Sequence, residues 1–214
     1  MALSSWWRAE ISRKVLHLSA AAIPLLYVAV DRQTMLGLLA VCVVGAIAIE
    51  TLRHVSRPFQ ELFARTVGFM VRATEWGRLS GATYVLVAAL LSVWLFPKRV
   101  AIAVLLILCV SDSAASLIGL RFGRGRFLGK SPAGSFAFFV TALAILWLVL
   151  PEDSLGIILV AAMVATCTEA LPALRLGRFD LNDNLTVPLI TGTVLWWLAA
   201  HTASTEIAAA LLGH

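Results

Sequence analysis

The sequence predicts an all-α polytopic membrane protein, a bundle of about seven transmembrane helices with its N-terminus in the cytoplasm. Three observations lead there. The 214 residues are 60% hydrophobic and only 14% charged, with a mean hydropathy of +0.91, whereas soluble domains run at roughly 45–50% apolar and about 25% charged. A water-soluble globule of this size has no means of hiding so much apolar side chain. Apolar runs of near-membrane length recur along the chain, without the ten-residue dyad alternation of a barrel. Finally, the 17 basic residues sort unevenly between the two sets of links that alternate along those runs.

The first run, Val15–Val30, stops at Asp31, and Thr34–Ile49 follows across the tight link Asp31–Gln33. A long link, Glu50–Ser80, comes next. Within it Pro58 to Arg78 places apolar residues at helical spacing with arginines between them, so residues 54–80 read as an amphipathic segment lying on the membrane. Gly81–Phe96 and Val100–Ile118 are joined tightly by Pro97–Arg99; Phe136–Leu150 and Ser154–Leu171 by Pro151–Asp153. Leu185–Ala200 is the last run. The long links Gly119–Ser135 and Pro172–Asn184 fall on the same side as Glu50–Ser80, and that side carries fourteen of the 17 basic residues against Arg32, Lys98 and Arg99 on the other. By the positive-inside rule this is the cytoplasmic side, and an odd number of spans preserves the asymmetry. No cleavable signal is expected, since Met1 to Glu10 precede the first run without an apolar core of their own. Residues 1–214 therefore read as a single integral-membrane domain, in the inner membrane if the source is bacterial. Cys42, Cys109 and Cys167 lie in apolar runs without metal-binding or disulfide spacing.

The middles of the runs carry no charge. Ionisable groups gather instead at their cytoplasmic ends, which argues against a transporter or flippase with a midplane site and for an enzyme that meets a water-soluble reagent at one interface. Glu10, Arg13, Lys14 and His17 share one helix face, and Glu50, Arg53, His54 and Arg57 repeat the pattern. Snorkelling anchors and local ion pairs explain such stripes as readily as a site does. Asp112 is sharper: a carboxylate there costs roughly 2.5–3.5 kcal/mol on insertion scales unless it is paired or metal-bound, so metal ligation or base catalysis is the expected role. The loop that follows, Gly119 to Ser131, interleaves four glycines with four basic residues, a composition suited to phosphates or to lipid headgroups. It is no P-loop, because GxxxxGK[ST] ending at Lys130-Ser131 requires glycine where Arg124 stands. Glu169 ends the sixth run, and Asp180, Asn182, Asp183 and Asn184 precede the seventh. Asp183 or Asn184 is the expected helix N-cap, and the remaining oxygens suit Mg²⁺.

These residues resemble the CTP-dependent lipid-alcohol kinases, which comprise dolichol and polyprenol kinases, phytol kinases and CTP-dependent diacylglycerol kinases. The matching pieces are Arg13-Lys14-x-x-His17, Glu50-x-x-Arg53, Ser111 to Gly119, Arg121-Phe122-Gly123, Gly129 to Ser135, Glu169 to Pro172 and Asp183 to Pro188. They run in family order from about residue 10 to residue 190. Many phytol-kinase-like members carry Gly-Asp-Gly where this chain has Ser111-Asp112-Ser113.

The resemblance implies transfer of the γ-phosphoryl group of CTP, with Mg²⁺, to the hydroxyl of a polyprenol, a phytol-like isoprenoid or diacylglycerol. It implies catalytic roles for Asp112, Lys130 and His17. Arg13, Lys14, Arg53, Arg121, Gly123, Gly129, Ser131 and Asn184 would meet the nucleotide, and Asp112, Glu169, Asp183 and Glu50 would meet the metal. The other enzyme reading is a phosphatidate cytidylyltransferase. The partners expected are CTP, a lipid alcohol and the bilayer, with no nucleic acid; a homo-oligomer is compatible with the sequence.

Overall fold

Why do these apolar runs become helices rather than strands? In lipid the backbone must satisfy its own hydrogen bonds, and only helices do so segment by segment. The computed structural model describes residues 12–68, 78–123, 125, 130–171, 174–176 and 179–212, with helices as the dominant element. After the helical residues 12–19 come α1 (Ala22–Ala29), α2 (Arg32–Val55), α3 (Arg57–Thr66) and α4 (Gly81–Leu95). They are followed by α5 (Lys98–Phe122), α6 (Pro132–Val149), α7 (Leu155–Ala170) and α8 (Asp183–Leu212).

Four helices are long and apolar enough to cross a membrane: Arg32–Val55, Lys98–Phe122, Pro132–Val149 and Asp183–Thr202. The chain is accordingly an integral membrane protein. α4 and α7 are apolar but shorter, at 15 and 16 residues, or about 24 Å at 1.5 Å per residue. The first apolar run is not one smooth helix. Ala20 and Ala21 form a turn between residue 19 and α1, and the amide of Ile23 donates to the Ala20 carbonyl only three residues back. Pro24 explains the break, because it has no N–H with which to continue the ladder.

α5 is the centre of the bundle. Val100 to Leu105 are each 7% exposed or less, and the helix packs against α1, α4, α6 and α8. A helix apolar on every face is one surrounded on every face. Tyr27, Met35, Phe96, Phe138, Leu146, Ile158 and Leu195 close the core around it. Large apolar side chains such as Val41, Trp94, Leu148 and Trp196 face outward, as lipid-facing residues must.

Short links hold one end of the bundle together. Asp31 caps α2 by accepting from the amide (3.0 Å) and hydroxyl (2.6 Å) of Thr34. At this end Arg32 donates through Nε to the Val93 carbonyl at 3.0 Å and also to that of Trp94. Lys98 donates to the carbonyls of Val28 (3.1 Å) and Val30 (2.8 Å) and lies over the Tyr27 ring. Arg99 pairs with Glu152. The three basic residues that depart from the charge asymmetry thus satisfy helix-terminal carbonyls or an exposed acid.

The opposite end carries the long links. α3 is strongly amphipathic with no buried residue, as the segment 54–80 predicts for its first part; residues 69–77 lie outside the described residues. Between α7 and α8, Leu174–Leu176 (β1) and Phe179–Leu181 (β2) pair antiparallel, with Arg175 opposite Asp180. This small hairpin is not foreseen from the apolar runs.

Gly192 in α8 lies against the Phe96 ring: a Cβ there would collide with Cε2, and Phe96 is only 3% exposed, with little room to move. Gly192→Ala is expected to destabilise the folded protein by about 1–3 kcal/mol, read as a lower thermal midpoint in detergent. Gly45→Ala, whose Cβ meets nothing within 4 Å, should leave the midpoint unchanged or slightly raised.

Candidate active site

The polar end is built around the second half of α5. Residues Ile107–Ser111 make a π turn, and α-helical geometry resumes at Asp112. Such a turn inserts a residue and loosens the carbonyl ladder, a device frequent at functional sites. Two of its carbonyls accept side-chain donors: Leu108 from His17 Nε2 at 3.0 Å, and Cys109 from the Ser113 hydroxyl at 2.7 Å. The Leu108 contact fixes the N–H of His17 on Nε2. The same nitrogen lies 3.5 Å from Asp112 Oδ2, and Lys14 Nζ donates to that oxygen at 2.6 Å. Lys14 and His17 sit one helical turn apart, so both reach Asp112 from one face of the N-terminal helical segment.

A second ionic group faces the first. Lys130 Nζ is 2.5 Å from Glu169 Oε1 and 3.4 Å from Asp183 Oδ2, joining the start of α6 to the end of α7 and the start of α8. Burial works to lower the Lys130 pKa, but the carboxylates of Asp183 and Glu169 outweigh it and hold the ammonium above its ordinary range. The N-cap of α8 is Asn182, not Asp183 or Asn184. Its carbonyl accepts from the Leu185 and Thr186 amides, and its Oδ1 from Asn184 N at 3.0 Å. Asp183 is thereby left for Lys130, while Asn184 Nδ2 donates to the Gly81 carbonyl at 3.4 Å. A crevice too narrow to admit water is lined by Asp112, Glu169, Asp183 and Asn184 together with Leu108, Phe138 and Val187.

Beside that cleft lies a cavity of about 150 Å³, lined by Ala115, Ser116, Gly119, Leu120, Lys130, Ser131, Gly134, Ser135 and Glu169. Close packing of α5 on α6 shapes it. A Cβ at Gly119 would meet Ser131 Oγ at 2.8 Å, and one at Gly134 would meet the Ala115 carbonyl at 2.8 Å. At Gly123 a Cβ would lie 2.7 Å from the Ser131 Cβ and closer still to the Gly119 carbonyl. Small residues let two backbones approach in lipid. Ser131 fills the space they leave and caps α6, accepting from Gly134 N at 3.1 Å. Gly119, Gly123 and Gly134 therefore set the position of Lys130 through its neighbour.

Other sequence-predicted residues lie elsewhere. Glu50 and Arg53, 5% and 2% exposed, form a separate clasp between α2 and α4. Glu50 Oε2 accepts from Arg53 Nε at 2.6 Å, and Oε1 accepts from Ser80 N at 2.9 Å and Thr83 Oγ1 at 3.1 Å. Arg53 also donates to the Arg78 carbonyl and stacks over Phe63. Both Glu50 oxygens are engaged in this clasp. Arg121 is exposed at the end of α5, its guanidinium over the adjacent Phe122 ring. Arg13 is half-buried on the Lys14 segment. Gly129 lies outside the described residues, as do Glu10, Arg124 and Arg126.

Does the arrangement suit a divalent cation? Among the described residues no three His, Cys, Asp or Glu side chains form a ready-made metal cage. Mg²⁺ carried by a nucleotide does not need one; it usually keeps waters and uses one or two carboxylates plus phosphate oxygens. Glu169 Oε2 is buried without a hydrogen-bond partner among the described residues, beside Asp112 and Asp183 on one cleft, so the donor set fits.

Fold and site together define an integral membrane protein with a cation- and anion-bearing cavity at one end of a helical bundle. The chain belongs to the same family as the uncharacterized protein RP860 of Rickettsia prowazekii, with which it is 33% identical over 84% of this chain and 90% of that protein. It is more distantly similar to CTP-dependent diacylglycerol kinase 1 of Schizosaccharomyces pombe, 24% identical over 87% of this chain and 92% of the relative. The like-named protein of Saccharomyces cerevisiae is 27% identical over 85% of this chain and 71% of its own length. No family profile matches the chain, and no solved structure does.

Glu50→Ala would leave Arg53 buried without its carboxylate. A loss of about 3–5 kcal/mol in stability is expected, measured as a lower unfolding midpoint in detergent.

Proposed function

We propose that the protein is a CTP-dependent kinase that transfers the γ-phosphoryl group to the hydroxyl of a membrane lipid alcohol. One observation carries this reading: the Lys130 cavity of about 150 Å³, lined in part by serines and glycines, shares Glu169 with the crevice that holds Asp112 and Asp183. A polar compartment for phosphates thus adjoins carboxylates that suit a metal ion and an acceptor hydroxyl. The distant similarity to CTP-dependent diacylglycerol kinases supports CTP as donor and favours diacylglycerol over a polyprenol or phytol as acceptor.

The chemistry follows from charge and position. Phosphoryl transfer asks a protein mainly to align two oxygens about phosphorus and to neutralise developing charge. Lys130 and the capped N-terminus of α6 receive the terminal phosphates. Asp112, aimed by Lys14 and His17, orients the hydroxyl and takes its proton. Asp183 and Glu169 would hold Mg²⁺, which when bound supplies charge neutralisation across the phosphates. Seven membrane crossings, with the site and fourteen of the 17 basic residues on the cytoplasmic side, accord with the positive-inside rule.

The test is direct. The full chain in nanodiscs, given Mg²⁺ and γ-labelled CTP, should place label on diacylglycerol or another lipid alcohol and release CDP. Asp112→Asn should lower kcat by about 10²–10⁴-fold. Folded protein that labels none of diacylglycerol, polyprenol and phytol would falsify the reading, and release of pyrophosphate with a CDP-lipid would reassign it to cytidylyl transfer.

A further inference from the structure

The carboxylates of this site already have cationic partners within the chain itself. Lys130 bridges Glu169 and Asp183, yet Glu169 keeps one buried oxygen, Oε2, without a partner among the described residues. Glu169 is 3% exposed and lines both the cleft and the cavity. An ammonium with three donors satisfies part of such a carboxylate; a divalent cation, with more charge and more coordination sites, satisfies more. Resting on the nucleotide reading above, we infer that Lys130 is a resident stand-in for a divalent cation, so that cation and nucleotide load together and not in turn.

The physical reason lies in who can move. Glu169 is fixed at the end of α7 and almost wholly covered, whereas the Lys130 side chain is 34% exposed and carries its charge on a flexible four-carbon stem. A divalent cation arriving alone must expel the ammonium from both carboxylates, and Asp112, the next acid that acts on it, already accepts from Lys14. A triphosphate arriving alone draws Lys130 away and sets its own negative charge against Glu169 and Asp183. Arriving together they exchange partners: the ammonium passes to a phosphate and the cation to the carboxylates. Each ligand then raises the affinity for the other by the same factor, as linkage requires.

Binding of Mn²⁺ alone to the detergent-solubilised full chain, followed by electron paramagnetic resonance, tests the stand-in without any turnover. Wild type should bind Mn²⁺ weakly, and Lys130→Met should bind it at least about tenfold more tightly, a coupling of ordinary size. Adding Glu169→Gln to Lys130→Met should remove the gain. Equal Mn²⁺ affinity in wild type and Lys130→Met would overturn the inference. A second measurement needs no variant: CTP affinity of wild type, without lipid, should rise about tenfold or more when Mg²⁺ replaces EDTA. CTP binding that is equally tight in both also overturns it. If Lys130→Met gains Mn²⁺ while wild type binds no CTP under either condition, the cation site stands and the nucleotide reading falls.

Discussion

Carboxylates at the end of an apolar bundle govern this structure. Asp112, Glu169 and Asp183 line one cleft, and an unpaired charge in such a place costs several kcal/mol. The chain meets that cost with two lysines drawn from other segments. Lys14 ties the N-terminal helical residues to α5, and Lys130 ties α6 to α7 and α8. The pairs therefore hold the polar end of the bundle together. Substitutions here are expected to act on stability whatever else they change.

Position comes from backbone devices rather than from more charge. Carbonyls of the π turn in α5 anchor His17 and Ser113, and so aim the residues around Asp112. Glycines at 119, 123 and 134 let α5 and α6 meet with Ser131 wedged between them, and Lys130 is the next residue along. Neither device carries a functional group to substrate. Both decide where the functional groups stand.

Asp112 was legible as a carboxylate inside an apolar run and Glu169 as one at the end of another, whereas Lys130 stood out by its glycine-basic loop and Asp183 by the oxygen-rich stretch before the last run; the structure brings the four together. The i, i+3 pair Glu50 and Arg53 looked the same on the page, yet it forms a clasp between α2 and α4; spacing along one helix says nothing of which neighbour covers it. The break before Pro24 was hidden by a run of alanines that is apolar whether kinked or straight. Gly123 reads as a phosphate-approach residue from composition alone, while the structure shows a Cβ excluded by the Gly119 carbonyl and by Ser131. The β1–β2 hairpin was missed because three-residue strands leave no usable period.

At the other end, Arg32 and Lys98 close off helix-terminal carbonyls above a core in which Tyr27, Phe96 and Leu150 are 3% exposed or less. Arg32 and Lys98 are thus spent on backbone carbonyls, whereas Lys14 and Lys130 are held by carboxylates, and it is the second pair whose partners an arriving ion can exchange.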